Sequence, residues 1–241
     1  MGELTGVALA TALAAAVQLA AGFGFGLTAV PLLSLAIGAH DAVVLALALA
    51  TITNGAQAWL GRHLTDRPVA GRMLAGAAVG LPLGLVVYQV VDDQVLRILI
   101  AVAVLAAVVV IARGLDLRHA GPGLDVGGGM LAGVLTLSTG TNGPPLVAVL
   151  QARHFDQQRF RSTITTIFVA LDIVGIVVFA ITGDLDAEVR RAFVASLPGL
   201  AVGAAVGIAL RGHLDPQRFR VLVLGLLSVA AVSTLVSAFR A

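Results

Sequence analysis

The sequence contains no cysteine, which excludes disulfides, thiolate nucleophiles and thiolate metal sites. Charged residues are scarce as well, because they make up 12% of the 241 residues, against about a quarter in a soluble domain. Hydrophobic residues account for 59% of the chain, and its mean hydropathy is +1.01. The sequence therefore predicts an integral membrane protein, with the lipid bilayer as its surroundings.

Several function classes have no support in the remaining polar residues. The arginines are scattered over short loops without interleaved aromatic residues, so nucleic-acid binding is not predicted. No Ser-His-Asp or HExxH arrangement is present, so an enzyme is not predicted. No ligand set at a useful spacing indicates a metal, and no other cofactor is expected. Glu3 stands where a signal peptide would be positive, so cleavage is not expected.

Eight apolar segments follow one another, and the short gaps between them hold nearly all the charge. Six segments are unbroken and run about 18 to 23 residues, near the ~20 that cross a bilayer. They lie at residues 42–60, 70–91, 95–112, 160–182, 190–210 and 217–239. The other two, segments 5–37 and 124–152, are predicted to be broken.

Both broken segments contain a glycine cluster, a hydroxyl residue and proline before an apolar run, as in GFGFGLTAVPLL and STGTNGPPLVAVL. Proline removes a backbone donor and glycine loosens the turn, so a continuous helix is not expected. A shift of 114 positions superposes Gly26 on Gly140 and Pro31 on Pro145. We predict an all-α fold of two four-segment repeats, residues 1–118 and 122–241, each starting with a broken or re-entrant helix.

The arginines help to decide between a kinked span and a hairpin that returns to the side from which it entered. If all eight segments cross, the fifteen arginines divide eight against seven between the two faces. If both broken segments are re-entrant, they divide eleven against four, and the side with four arginines also holds Asp92, Asp93, Asp184, Asp186 and Glu188. The positive-inside rule favours the hairpins, which make the second repeat inverted. Simple crossing by both broken segments is the alternative.

A half-helix that begins inside the membrane directs unpaired N–H groups and a positive dipole end at a cavity, which suits an anion. Glycines allow the anion to approach the backbone closely. The alternative is a kink that only serves helix packing, although two matching breaks favour a binding site. The predicted substrate-binding residues at the breaks are Gly24, Phe25, Gly26, Leu27 and Thr28 in the first repeat, and Ser138, Thr139, Gly140, Thr141, Asn142 and Gly143 in the second.

The segments that follow the breaks add polar side chains to the same predicted cavity. Asn54 and Gln57 are expensive to bury without partners, so we expect them to line it together with Thr165. The alternative for Thr165 is a hydrogen bond to its own helix. Asp172 is the only acid well inside a span, which predicts a proton-coupling role. A neutral Asp172 tied to a neighbouring helix, or one just below the interface, remains the alternative.

The glycine-rich break before Pro-Leu-Leu, its counterpart STGTNGPPL and the eight apolar segments resemble the TauE/SafE family of anion transporters. This family is also called the sulfite exporter or toluene-sulfonate-uptake permease family. The resemblance covers essentially the whole chain. It implies transport of small sulfur-containing or carboxylated anions, such as sulfite, sulfoacetate or other organosulfonates, across the bacterial inner membrane without a bound cofactor.

From the residues and the resemblance together we expect a multi-pass secondary transporter that works by alternating access. The anion is expected to bind near the bilayer midplane between the two half-helices. The identity of the anion, the direction of transport, coupling to protons or sodium, and a monomeric or homodimeric state stay open. A passive anion channel and a non-transporting scaffold subunit are the alternative functions.

Overall fold

The chain is helical throughout the part that the computed structural model describes, which is residues 2–113, 121–153, 155–210, 213 and 216–239. Seven helices in this part are long and apolar enough to cross a membrane, namely α1, α3, α4, α5, α8, α9 and α10. The all-α prediction is confirmed. The helices are α1 (Gly2–Ala21), α2 (Phe25–Leu33), α3 (Ala39–Gly61), α4 (Arg67–Val90), α5 (Asp93–Arg113), α6 (Pro122–Thr139), α7 (Gly143–Ala152), α8 (Gln157–Thr182), α9 (Ala187–Leu210) and α10 (Pro216–Ala238).

The two segments that the sequence predicts to be broken each form two helices. Between α1 and α2 the backbone turns through Gly22 and Gly24, whose φ angles of 95° and 100° suit glycine and strain other residues. Between α6 and α7 it turns through Gly140, whose φ is 63°. Pro144 and Pro145 follow in the first turn of α7, where the absence of an N–H group costs no helical hydrogen bond.

Each broken segment doubles back, so its two ends lie close together. The Arg153 Nη2 atom, just after α7, donates to the Asp125 Oδ1 atom at 2.7 Å and to the Gly121 carbonyl at 3.3 Å, at the start of α6. In the first segment a Cβ atom on Gly6 would lie 3.8 Å from that of Ala36. The pairs α1/α2 and α6/α7 are therefore hairpins of one long and one short helix.

Glycine stripes hold these hairpins against long helices. A methyl group on Gly80 of α4 would overlap the Met130 carbonyl of α6, and one on Gly203 of α9 would overlap the Ala12 carbonyl of α1. Such close backbone approach is typical of small-residue stripes in membrane helices. The stripes consist of Gly76, Gly80 and Gly84 on α4 and Gly199, Gly203 and Gly207 on α9.

The two ends of the bundle differ in charge. At one end, which we call the arginine-rich end, α3 and α7 finish and α4 and α8 begin, and Arg159 of α8 binds Asp66 before α4 at 2.5 Å. At the other, the acidic end, α5 begins beside Asp92 and Asp93, and α9 begins beside Asp184, Asp186 and Glu188. Arg118, Arg211 and Arg240 lie outside the described residues.

Candidate functional site

The breaks of the two hairpins meet in the interior of the bundle. A Cβ atom on Gly26, in the first turn of α2, would overlap the carbonyl oxygen of Gly140, the residue that ends α6. A Cβ atom on Gly143, at the start of α7, would lie 3.7 Å from the Leu27 Cδ1 atom. A side chain at position 143 would make ordinary contact, but only glycine leaves room at position 26, so Gly26 lets the two breaks come together.

A small cavity lies beside this meeting point. Its volume is about 20 Å³, which is room for about one water molecule. Eight of its lining residues come from the two broken segments, and the others come from α3 and α8, the two helices that pack centrally against each other. The lining residues are Gln18, Gly24, Phe25, Gly26, Leu27, Ala46, Leu47, Ala50, Asn54, Gly140, Asn142, Gly143, Phe168 and Asp172.

A chain of side-chain hydrogen bonds forms the polar wall of the cavity. The Thr53 hydroxyl donates to Gln18 Oε1 at 2.6 Å, and Gln18 Nε2 donates to Asn54 Oδ1 at 2.6 Å. Asn54 Nδ2 in turn donates to Asp172 Oδ2 at 2.7 Å. All four residues are at least 94% buried, so each bond works in a low dielectric and an unpaired member would be costly. The chain joins α1, α3 and α8 around the cavity.

The first half-helix presents the backbone donors that the sequence predicts. The amides of Phe25, Gly26 and Leu27 occupy the first turn of α2, where no helical acceptor precedes them. Gly24, before α2, provides no side-chain cap. Phe25, Gly26 and Leu27 line the cavity, so the positive end of the α2 dipole faces it.

The second half-helix presents fewer amides than the sequence predicts. The amides of Gly140 and Thr141 donate to the Leu135 carbonyl and so cap the C-terminus of α6. The last carbonyls of a helix have no partner within the helix and need such donors. Pro144 and Pro145 have no N–H group, which leaves the Gly143 amide as the first-turn donor beside the cavity. The Asn142 side chain lines the cavity and donates to the Thr136 hydroxyl at 3.1 Å.

The predicted residues divide into those that line the cavity and those that lie behind it. Gly24, Phe25, Gly26, Leu27, Asn54, Gly140, Asn142, Gly143 and Asp172 line it. The others are outside the lining, and all of them except Thr28 bond to carbonyls or hydroxyls near them in the chain. Four of them donate to a backbone carbonyl one turn earlier in their own helix: Gln57 to Thr53, Ser138 to Val134, Thr139 to Leu135 and Thr165 to Arg161. The Thr141 hydroxyl bonds with the Thr139 hydroxyl. The buried Thr28 hydroxyl has no hydrogen-bond partner.

The side chains of Gln18 and Phe168 also line the cavity, and neither residue was predicted to act there. Gln18 is 1% exposed and bridges Thr53 and Asn54, although the apolar run around it gives no sign of a binding site. The sequence feature that could have identified Gln18 is a single amide side chain in an apolar membrane helix, because such a group requires a hydrogen-bond partner. Phe168 lines the cavity from α8. Among the described residues, no group of three or more His, Asp or Glu side chains could hold a metal ion.

Comparisons with known proteins find one family and one curated relative similar to this chain. The family described as Sulfite exporter TauE/SafE matches residues 7–234. A curated relative, the "Probable inner membrane transporter protein TsaS" of Comamonas testosteroni, is 30% identical over 104 residues. The matched region covers 43% of this chain and 41% of that relative's own length. No solved structure matches the chain.

Proposed function

The chain belongs to the sulfite exporter TauE/SafE family, and we propose that it is a secondary transporter of small anions in the inner membrane. The proposed substrates are sulfur-containing anions such as sulfite, sulfoacetate or other organosulfonates. The family description and the name of the relative from Comamonas testosteroni support transport and the inner membrane. The observation that carries the proposal is the cavity where the α2 and α7 N-termini meet.

Anion binding follows from the donors at this cavity. Phe25, Gly26, Leu27 and Gly143 offer backbone N–H groups, and the α2 dipole adds a positive field. Glycine at 26 and 143 lets an oxyanion reach the backbone itself. Because the cavity holds about 20 Å³, which accommodates about one water, an anion larger than water requires the walls to separate. The described conformation is therefore proposed to be the closed state of the cycle.

The alternating movement is proposed to come from two inverted repeats, residues 1–118 and 122–241. In this proposal the first five helices correspond in order to the last five, so that α1 corresponds to α6 and α5 to α10. Three contacting pairs then have contacting counterparts: α1/α9 corresponds to α6/α4, α2/α10 to α7/α5, and α3/α9 to α8/α4. The α1/α2 hairpin has its ends at the acidic end and the α6/α7 hairpin at the arginine-rich end, as two re-entrant hairpins require. By the positive-inside rule the arginine-rich end faces the cytoplasm.

Purified protein in liposomes is expected to exchange external radiolabelled sulfoacetate for internal unlabelled sulfoacetate or sulfite. A transporter accelerates uptake when the liposomes are preloaded, because the loaded carrier returns faster than the empty one. A passive channel gives flux without this counterflow effect, and a scaffold subunit gives uptake no greater than protein-free liposomes. Either of the last two results contradicts the proposal. Taurine and acetate serve as competitors that define the required charge.

Asp172 is proposed to carry the coupling proton, because it is the titratable residue in the cavity lining and is 2% exposed. Asp172→Asn keeps the shape and the partner of Asn54 but cannot exchange a proton. We expect sulfoacetate uptake by this variant to lose its dependence on a pH gradient while exchange continues. Uptake is measured with and without the gradient, and with a sodium gradient as the alternative driving force. Unchanged dependence on the pH gradient rules the role out.

A further inference from the structure

We propose that Gln18 is a positioning residue that makes the position of the α1/α2 hairpin depend on whether Asp172 carries a proton. This inference rests on the proposed function, because movement of the hairpin is what opens the proposed anion site. Gln18 acts through Asn54, which bonds both Gln18 and Asp172. Three observations carry the inference: the direction of these hydrogen bonds, the two acceptors of Thr53, and the place of Gln18 beside the α1/α2 turn.

The charge of Asp172 fixes the direction of every hydrogen bond in the chain that ends on it. An ionised carboxylate only accepts, so Asn54 must present its Nδ2 group to Asp172 Oδ2, at 2.7 Å. Asn54 Oδ1 then accepts from Gln18 Nε2, and Gln18 Oε1 accepts from the Thr53 hydroxyl, both at 2.6 Å. All donors therefore point toward the carboxylate, and hydrogen bonds aligned in this way strengthen one another.

The chain can also run in the opposite direction, because the Thr53 hydroxyl has two acceptors within reach. Its oxygen lies 2.6 Å from Gln18 Oε1 and 3.1 Å from the Ala50 carbonyl oxygen. When Asp172 binds a proton, its O–H group can donate to Asn54 Oδ1 once that amide turns over, and the Gln18 amide then turns over as well. Thr53 accepts from Gln18 Nε2 and donates to the Ala50 carbonyl. Each group of the chain keeps a partner in both directions, so the proton on Asp172 selects between two complete arrangements.

Gln18 connects this chain to the backbone turn that leads to α2. Of the four residues in the chain, Gln18 alone lies on α1, because Thr53 and Asn54 lie on α3 and Asp172 lies on α8. The Gln18 carbonyl accepts from the Gly22 amide at 2.6 Å, inside the turn. The α2 amides that face the cavity follow this turn directly. The Gln18 side chain therefore holds the hairpin close to its break.

Proton binding to Asp172 loosens this connection. A hydrogen bond to an ionised acceptor is roughly twice as strong as one between neutral groups, and the arrangement with a neutral Asp172 has no such bond. The hairpin is thus held more tightly against α3 and α8 while Asp172 is ionised. With a proton bound, the hairpin withdraws more often, and the cavity opens to the anion.

The other charged and titratable side chains of the helices around Asp172 lie far from it along those helices, within the described residues. α8 packs against α3, α4, α6 and α7. The nearest ones on α8 precede Asp172 by at least eleven residues, about 16 Å, and those on α3 precede Asn54 by at least thirteen, about 20 Å. Those on α4 and α6 lie toward the arginine-rich end, and α7 has none. They are Arg159 and Arg161 on α8, His40 and Asp41 on α3, Arg67 and Arg72 on α4, and Asp125 on α6.

A cysteine in the cavity wall measures how often the cavity opens. The chain has no cysteine of its own, and Ala50 lines the cavity from α3. N-ethylmaleimide is far larger than a water molecule, so it reacts with Ala50→Cys only when the walls separate. At one fixed pH, adding Asp172→Asn, which cannot ionise, is expected to raise the labelling rate of the purified protein about tenfold, the usual effect of losing one charge-assisted bond.

Gln18→Leu distinguishes transmission from packing. If Gln18 carries the state of Asp172 to α1, adding Asp172→Asn to the Gln18→Leu background is expected to change the labelling rate by less than about twofold. If Gln18 only fills space, Asp172→Asn raises the rate about tenfold in this background too, and the inference is overturned. Thr51→Val is the control, since its hydroxyl bonds the Leu47 carbonyl of its own helix. It is expected to leave the full effect of Asp172→Asn in place.

An exchange of the amide and the carboxyl group decides the question if Gln18→Leu does not fold. The double variant Gln18→Glu with Asp172→Asn keeps both side-chain sizes and places the carboxylate on α1, where it accepts from Thr53 and Asn54. We expect it to be labelled within about twofold of Ala50→Cys alone, because the chain again ends on a charge. Labelling as fast as with Asp172→Asn alone would contradict the inference.

These outcomes differ from failure of the proposed function. That function fails if the native protein does not exchange sulfoacetate or sulfite in liposomes. The labelling experiments need no anion, so they test the link between Gln18 and Asp172 whatever the exchange experiment shows.

Discussion

Gly26→Val is expected to abolish sulfoacetate exchange and to lower the thermal stability of the purified protein. Any Cβ atom at position 26 overlaps the Gly140 carbonyl oxygen, and its distance to the carbonyl carbon would be only 3.3 Å. Backbone atoms at the end of α6 cannot rotate away as a side chain can. The α2 N-terminus must therefore withdraw from the second break, which separates the amides that form the proposed site. Overpacking of this kind typically costs about 1–3 kcal/mol.

The matched control is Gly127→Ala, within α6. A Cβ atom there meets nothing within 4 Å, and the residue is exposed and helical. We expect this variant to exchange sulfoacetate at the native rate and to be as stable as the native protein or slightly more so, because alanine favours helix by about 0.5–1 kcal/mol over glycine. Native exchange by Gly26→Val would mean that the close contact of the two breaks is not needed for transport.

Asn54→Leu is expected to give the second large effect, a loss of both exchange and stability. The Asn54 side chain bonds Gln18 on α1 and Asp172 on α8, so leucine leaves two buried polar groups without this partner. Each such group costs about 1–3 kcal/mol. Thermal unfolding in detergent measures the stability, and counterflow in liposomes measures transport.

Two further variants define the cause of the Asn54 effect. Thr51→Val, on the same helix, removes a hydroxyl that bonds only the Leu47 carbonyl of its own helix, and it is expected to change stability by less than about 1 kcal/mol. The double variant Asn54→Leu with Asp172→Leu is expected to be more stable than Asn54→Leu alone, because it also removes the orphaned carboxyl group. An effect of Asn54→Leu no larger than that of Thr51→Val would contradict the role of the network.

The helix breaks could be predicted from the sequence because their causes are local. Glycine permits the left-handed turns at Gly24 and Gly140, and the prolines at 144 and 145 are suited to the first turn of a new helix. The repeated pattern after 114 residues then pointed to two equivalent sites. These chemical rules act within a few residues, so a single sequence is enough to apply them.

The amide donors of the second break could be predicted only in part, because the same N–H groups can either cap the preceding helix or face the cavity. The sequence marks Gly140 and Thr141 as free donors at a break. In the structure both amides satisfy the Leu135 carbonyl at the end of α6. Helix ends require such caps, and whether an amide caps the preceding helix or faces a cavity depends on a left-handed turn that only the folded backbone defines.

The partners of single polar residues could not be predicted, because they come from distant parts of the chain. Gln18 stands 36 positions from Asn54, and Asn54 stands 118 positions from Asp172. Thr165 and Gln57 had the right polarity for a cavity but bond within their own helices, which is the common outcome for polar residues in membrane helices. The glycines at positions 76, 80 and 84 of α4 repeat every four residues, but this spacing does not identify α6 as the helix against which they pack.

The most direct test of the central claim is to locate a bound anion between the two helix breaks. Selenite has the shape and charge of sulfite, and its selenium can be located by anomalous diffraction from crystals of the native protein. The account predicts one selenium peak beside the amides of Gly26 and Gly143, and its loss when excess sulfite competes. A peak elsewhere, with the cavity between α2 and α7 still closed and empty of selenium, would contradict the account.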